Sequence, residues 1–237
     1  MSRISRKEMK TDELALEVSK TVEFVQSHRQ NLILWGIIAA VLLAAGGGGY
    51  LFYSKRIDTA NEMLGNAIRT FHSPIRPISL NDQGDEPTFP TIQARDEQAL
   101  RDFQTVAADY SMLRPGKVAR YYVGLTQLDQ SHLAEADKEL TAAMSSGDPY
   151  VGSLARLALA SVYVREKKTA EAEQAYRYLV DHPSDSVPKV TAQLALAAFL
   201  GPDKPAEAEK IYKDIESSKP APEIAELVSK ARQDAAK

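Results

Sequence analysis

The tripeptide Ala134-Glu135-Ala136 recurs as Ala170-Glu171-Ala172 and as Ala206-Glu207-Ala208, and each copy lies 36 residues after the previous one. A fixed period of this length is typical of stacked helical repeats. The match extends along each copy to two further sets of residues, which are Leu140, Tyr176 and Tyr212, and then Ala143, Leu179 and Ile215. These offsets place all the matched residues on one face of a helix, which we expect to be buried.

A helical repeat that buries only one stripe cannot form a core alone, so several copies must stack. The concave side of such a stack is a surface that holds another polypeptide. The repeats therefore predict an all-α domain that binds protein partners and does not catalyse a reaction.

A second feature is the segment LILWGIIAAVLLAAGGGGYLFY at residues 32–53, which contains no charged residue and is long enough to cross a membrane as one helix. Trp35 near one end, and Tyr50 and Tyr53 near the other, suit the two interfaces. The alternatives are a core helix of a soluble domain and a cleaved signal peptide with its cleavage site near residues 44–46. The long polar leader and the basic pair Lys55-Arg56 favour an uncleaved transmembrane anchor.

Four consecutive glycines, Gly46–Gly49, lie inside this apolar segment. They weaken a helix in water but are tolerated in lipid, where the backbone has no other hydrogen-bond partner. Ala45 and Gly49 have the small-xxx-small spacing of helix dimers, so a dimerisation role stays open.

Composition excludes several classes of function. The net charge is −3 and no basic stripe is present, so we expect no nucleic-acid partner. The absence of cysteine removes disulfides, thiol nucleophiles and thiolate metal sites. The histidines, His28, His72, His132 and His182, have no metal-ligand spacing, and no catalytic motif or phosphate-binding glycine loop occurs. We therefore expect no catalytic residue, no metal, no cofactor and no small-molecule substrate.

The first 31 residues form a tail that we expect to be cytoplasmic, because short tails rich in Lys and Arg stay on that side of a membrane. The tail also has apolar residues at helical spacing, from Leu14 to Val25, which predict a short amphipathic helix. That helix either lies on the membrane surface or docks on a cytosolic partner.

Residues 54–237 form the predicted repeat domain. Helical spacing continues from Arg56 to Phe71, and Pro74 and Pro77 end that helix. A proline-rich insertion at residues 72–94 has no period, and it is either a functional loop or a solvated connection between two repeat helices. Helical spacing resumes after it, which implies an earlier, divergent repeat. The last predicted helix, 222–234, would cap the stack with a polar outer face.

The spacing of small and large residues resembles the tetratricopeptide repeat, in which a small residue precedes an alanine by twelve positions and a large residue follows four later. Gly124, Ala136 and Leu140 match this pattern, as do Ala160, Ala172 and Tyr176. The third copy departs from it, because Leu196 replaces the small residue and Pro202 and Pro205 occupy the turn. We expect looser packing in that third helix pair.

The order of a short tail, one span and a tetratricopeptide-like superhelix resembles the YfgM-like family of ancillary subunits of the SecYEG translocon. The resemblance implies a single-pass protein of the bacterial inner membrane, with the repeats in the periplasm. It also implies partners among translocon proteins, periplasmic chaperones and unfolded segments, and no catalysis. Two other functions remain open, namely a scaffold for envelope assembly or cell division and a regulator that acts through its cytoplasmic tail.

The first helix of each pair lines the inner wall of such a stack, so these helices supply the candidate partner-binding residues. We call this set the candidate wall: Tyr121, Leu125, Leu128, Leu154, Leu157, Ser161, Arg165 and Gln193. The leucines also have the spacing of ordinary core residues, whereas Tyr121 and Arg165 are typical of protein contacts. Mainly Tyr, Leu, Ser and Gln occupy the wall, so a basic clamp for a C-terminal carboxylate is not expected.

Overall fold

The computed structural model describes residues 29–76, 87–218 and 221–235, and this part of the chain contains nine α-helices and no β-strand. The predicted all-α class is confirmed for these residues. In chain order the helices are α1 (Arg29–Phe71), α2 (Ile92–Asp109), α3 (Arg114–Asp129), α4 (Leu133–Met144), α5 (Pro149–Arg165), α6 (Thr169–Asp181), α7 (Lys189–Leu200), α8 (Pro205–Ser217) and α9 (Pro222–Ala235). The tail helix predicted from Leu14 to Val25 lies outside the described residues.

Helix α1 contains the whole apolar segment 32–53 and continues to Phe71. Among the described helices, it is the one that is long and apolar enough to cross a membrane. Its large side chains are exposed in this segment, as Trp35 (68%) and Leu43 (78%) illustrate. A side chain at any position of Gly46–Gly49 would meet no atom within 4 Å. The chain divides into two compact units between Arg56 and Ile57.

In the unit that begins at Ile57, α2 to α8 pack as a series in which each helix contacts the next one along the chain. Helix α9 packs on both α7 and α8. Helices α3 and α5, the first members of two neighbouring pairs, also contact each other directly. This pattern of contacts follows from repeats that bury one helix face against their neighbours.

The stripe predicted from the Ala-Glu-Ala period is buried in all three copies. Ala136 and Ala172 have no exposed surface, and Ala208 retains 3%. The larger residues that follow at the same offsets are also buried: Leu140, Tyr176, Tyr212, Ala143, Leu179 and Ile215. These residues of α4, α6 and α8 form the core together with buried residues of the first helices, such as Leu159 and Leu200.

The turns within the helix pairs differ. Ser131 and Lys167 each adopt a positive φ, of 63° and 61°. In both turns the following N–H bonds to a carbonyl five residues back, from His132 to Gln127 at 2.9 Å and from Lys168 to Tyr163 at 2.8 Å. This is the bond that closes a Schellman motif. The third turn lacks it, because Lys204 N bonds to the Leu200 carbonyl at 2.7 Å.

In the first pair, the small residue of the first helix is fitted to the large residue opposite. A Cβ on Gly124 would lie 2.5 Å from Leu140 Cγ, so no side chain fits there. In the third pair Leu196 is 3% exposed and packs in the same cluster as Ala208 and Tyr212. The leucine that replaces the small residue is therefore buried between the helices of the third pair, and the looser packing expected there stays a prediction.

The end of α1 and helix α2 form a further cluster, in which Leu64 and Ala67 pack with Phe103 and Val106. This arrangement agrees with an earlier, divergent repeat. At the two ends of the insertion, Arg76 N donates to the Phe89 carbonyl at 3.0 Å and Phe89 N donates to the Pro74 carbonyl at 3.3 Å. These hydrogen bonds hold the residues on the two sides of positions 77–86 next to each other.

Helix α9 ends the series. Glu223, Glu226 and Lys230 are exposed, as expected for a polar outer face. Arg232 instead forms ion pairs with Glu209 and Glu216 of α8, each at 3.0 Å. Because of these pairs, α9 is joined to α8 through charged groups as well as through buried Val228.

Candidate partner-binding wall

The candidate wall is distributed over α3, α5 and α7. The structure brings its α3 and α5 members together, because these helices contact each other. The guanidinium of Arg165, at the end of α5, donates to the backbone carbonyl of Leu128 at the end of α3. Arg165 was expected to contact a partner, and in the structure it also ties two first helices together.

The leucines of the wall contribute to the core while keeping part of their surface exposed. Leu128 is 6% exposed and Leu125 is half-buried, and both belong to the cluster built around Leu140. Leu154 and Leu157 are half-buried against the cluster of Leu179, Val187 and Ala192. The core interpretation of the leucines therefore accounts for most of their burial, and the remaining surface of Leu125, Leu154 and Leu157 is available to a partner.

Tyr121 is a half-buried phenol on α3. Burial, together with the neighbouring Tyr122 and Tyr150, raises its pKa to about 12. Its ring lies edge-on to that of Tyr122, with 5.4 Å between the ring centres. The hydroxyl group is therefore protonated at physiological pH and can both donate and accept a hydrogen bond.

Ser161 supplies a hydroxyl group to the wall, and Gln193 supplies an amide group. Burial raises the pKa of Tyr176, and a side-chain hydrogen bond with Ser161 acts in the opposite direction. Ser161 is therefore already engaged with the second helix of its own pair. Gln193 is half-buried on α7, a helix that contacts α6 and α8.

A charged group borders the wall near Arg165. The pKa of Asp129 is raised, first by burial and then by the nearby Asp96, while Arg165 and Arg95 oppose this shift. Asp96 is 7% exposed and forms an ion pair with Arg95 at 2.8 Å. Acidic and basic side chains from the start of α2 and from the ends of α3 and α5 thus lie near one another and offset each other's charge.

Two features of this unit were not predicted from the sequence. Gly116 and Gly152, the glycines near the starts of α3 and α5, let the preceding helix approach: an added Cβ would lie 2.0 Å from the Tyr110 oxygen and 3.2 Å from the Met144 oxygen, respectively. The second feature is a cation–π contact, in which Cζ of Arg156 lies 3.8 Å from the ring centre of Tyr178. Their signal in the sequence is the same 36-residue period, since Gly116 and Arg120 recur as Gly152 and Arg156.

Ion pairs join the second helices. Glu173 pairs with Arg177 at 2.8 Å and with Lys204 at 2.7 Å. Arg177 also contacts Glu207 of the next Ala-Glu-Ala copy. The pKa of Glu173 is lowered, chiefly by the hydrogen bond from Lys204 and then by that from Arg177.

In the part of the chain that the structure describes, no group of three or more His, Cys, Asp or Glu residues is placed to hold a metal ion. Comparison with protein-family models, with curated proteins and with solved structures gives no match. The wall offers partly exposed apolar side chains, a protonated phenol, an amide and a guanidinium, which are groups that contact polypeptides.

Proposed function

We propose that this protein is a non-enzymatic, membrane-anchored adaptor whose tetratricopeptide-like superhelix binds protein partners through the candidate wall. The observation that carries the proposal is the direct contact of α3 and α5, joined by Arg165 and Leu128, with half-buried apolar residues along both helices. The fitted pair Gly124 and Leu140 and the two equivalent turns at Ser131 and Lys167 support the repeat assignment.

The proposed location is the bacterial inner membrane, with the N-terminus in the cytoplasm and the repeat unit in the periplasm. It is supported by the exposed apolar surface of α1 and by the basic residues of the tail, such as Arg3, Arg6 and Lys7. An anchored binding domain has a raised effective concentration for other membrane-associated chains. The proposed partners are the Sec translocon, periplasmic chaperones and unfolded segments.

The alternatives, an envelope or cell-division scaffold and a tail-dependent regulator, predict different dependences on the parts of the chain. A translocon subunit is expected to lose its partners when residues 32–53 are exchanged for an unrelated span. A scaffold that uses only the wall is expected to keep them. A regulator is expected to lose them when residues 1–27 are deleted.

The test is purification of the full chain from solubilised bacterial membranes, followed by identification of the proteins that accompany it. We expect the combined substitution Tyr121→Ala and Gln193→Ala to remove those proteins. The control, Lys138→Ala combined with Lys213→Ala, changes exposed residues of α4 and α8 and should leave them in place. Equal recovery from all three chains would rule out the wall as the binding surface.

A further inference from the structure

Two cavities occupy the same position in successive repeats. One lies beside the start of α3, with a volume of about 280 Å³, and the other beside the start of α5, with about 380 Å³. Seven positions line both cavities at a spacing of 36 residues, and they include Gly116, Arg120 and Ala142 in the first and Gly152, Arg156 and Tyr178 in the second. We call them the paired cavities. They recur because the glycine of each repeat admits the end of the preceding helix.

Each of the paired cavities carries an arginine at the same register. In the second, the Arg156 guanidinium lies over the ring of Tyr178, and no carboxylate of the described residues pairs with it. His182 stacks on the same ring, with 4.2 Å between the ring centres. A guanidinium held flat on an aromatic ring keeps the N–H groups at its edge available to a carboxylate.

In the first of the paired cavities, Arg120 lies 3.6 Å from Glu139. Arg120 is 38% exposed, so this pair is screened by water and is easily exchanged for another carboxylate. Lys117 adds a second cation to the lining. Asp148, which borders the second cavity, already accepts hydrogen bonds from Tyr150 N and Val151 N and pairs with Arg114.

The lining of the first cavity thus carries two cations and no carboxylate, and that of the second carries Arg156 and the already engaged Asp148, in a chain whose net charge is −3. The paired cavities are also separate from the candidate wall. At 100° per residue, Arg156 lies roughly 100° to 160° around α5 from Leu154, Leu157 and Ser161. A partner on the wall and a ligand in the paired cavities would contact different faces of the same helix.

We propose that the paired cavities form a second binding surface, which takes an extended acidic segment of a protein with one carboxylate on Arg120 and another on Arg156. The charge complementarity selects an anionic ligand, and the recurrence at one-repeat spacing selects a linear one. Recessed arginines flanked by hydroxyl and aromatic groups suit carboxylates, whereas a flat anionic lipid surface would be met by protruding cations. This proposal does not depend on the function of the wall.

The test uses the full chain in nanodiscs of zwitterionic lipid and a fluorescein-labelled peptide of alternating glutamate and serine, with binding followed by anisotropy. We expect the combined substitution Arg120→Gln and Arg156→Gln to weaken binding roughly tenfold, the effect of losing two partly exposed ion pairs. Glutamine preserves much of the side-chain length, and an unchanged melting temperature will confirm that the fold is intact.

The matched control is Arg101→Gln combined with Lys210→Gln, which removes the same charge from exposed positions of α2 and α8. Its binding is expected to stay within about twofold of the original chain, because remote charges act only through screened long-range attraction. The proposal is overturned if the original chain does not bind the peptide, or if the two double variants lose affinity equally. It is also overturned if the arginines are needed for binding to phosphatidylglycerol vesicles but not to the peptide.

Discussion

The helix pairs α3–α4 and α5–α6 differ from the pair α7–α8 in two ways. The first two pairs have a small residue, Gly124 or Ala160, opposite the large residue of the second helix, and each turn has one residue with positive φ. The third pair has Leu196 and a turn that contains Pro202. All three nevertheless bury the alanine of Ala-Glu-Ala and the large residue after it.

This difference indicates which parts of a repeat determine its packing. The stripe on the second helix is constant, and it is buried whichever turn precedes it. By contrast, the size of the residue on the first helix and the conformation of the turn differ between the first two pairs and the third. The third pair should therefore be destabilised by a smaller residue at this position, and the first pair by a larger one.

The largest effect is expected for Leu196→Ala in the third pair. This leucine is 3% exposed and packs with Tyr212, so its removal leaves a cavity that costs about 3 kcal/mol of unfolding free energy. Urea denaturation of the full chain in micelles, followed by helical circular dichroism, measures the loss. The control is Leu227→Ala on α9, where the side chain is 52% exposed and the change should be small. Equal losses would mean that the third pair is loosely packed.

The opposite substitution, Gly124→Ala, should destabilise the first pair. The new Cβ would lie 2.5 Å from Leu140 Cγ, and the resulting overpacking is expected to cost about 2 kcal/mol. The control is Gly65→Ala on α1, where no atom lies within 4 Å and alanine should stabilise the helix by about 0.8 kcal/mol. In a double-mutant cycle, the cost of Gly124→Ala should fall when Leu140 is alanine. An unchanged cost would contradict the fitted contact.

Substitutions in the turns of the first two pairs should have a smaller effect, and they should stabilise the protein. Lys167→Gly and Ser131→Gly should each raise the unfolding free energy by about 0.5 kcal/mol, because glycine adopts positive φ without the steric penalty of a side chain. Asp203→Gly, in the third turn, lacks this benefit and should be neutral or destabilising. Melting temperatures of the three variants compare the turns directly. Stabilisation by Asp203→Gly alone would reverse the distinction between the pairs.

The smallest effect concerns the ion pairs between the second and third pairs. Glu173→Gln should lower stability by about 0.3 kcal/mol at neutral pH, since its partners Arg177 and Lys204 keep 43% and 48% of their side-chain surface exposed to water. The lowered pKa of Glu173 means that its stabilisation is present above the ordinary glutamate pKa of 4.5 and is lost as the pH falls through the lowered value. Melting curves across this range, with Glu226→Gln as control, test the sign. A difference that grows towards acidic pH or survives in concentrated salt would contradict it.

The period in the sequence was sufficient to predict the buried stripe and the helix pairs, because the spacing of alanines and large residues fixes a helix face. It also indicated a departure in the third pair, although not that Leu196 fills its space. The close approach at Gly116 depends on where the Tyr110 carbonyl lies, which is a tertiary property. Likewise, the sequence shows that Arg120 and Arg156 are equivalent, but only the fold places Arg156 on Tyr178.

The sequence was sufficient to place the residues of the candidate wall on helices, but not to predict how much of each side chain is exposed. Helix geometry selected Leu128 and Leu125 alike, yet the packing around Leu140 buries the first more than the second. Arg165 was selected because arginine is common at protein contacts. Its hydrogen bond to the end of α3 depends on the approach of two helices that are far apart in sequence.

The central claim, that partners are held by the first helices of an anchored stack, is tested most directly by photocrosslinking in intact membranes. A benzophenone side chain replaces Tyr121 on α3 in one chain and Lys138, 82% exposed on α4, in another. We predict crosslinks to a defined partner from position 121 and few or none to that partner from position 138. Equal crosslinking from both positions, or capture of that partner only from position 138, would contradict the account.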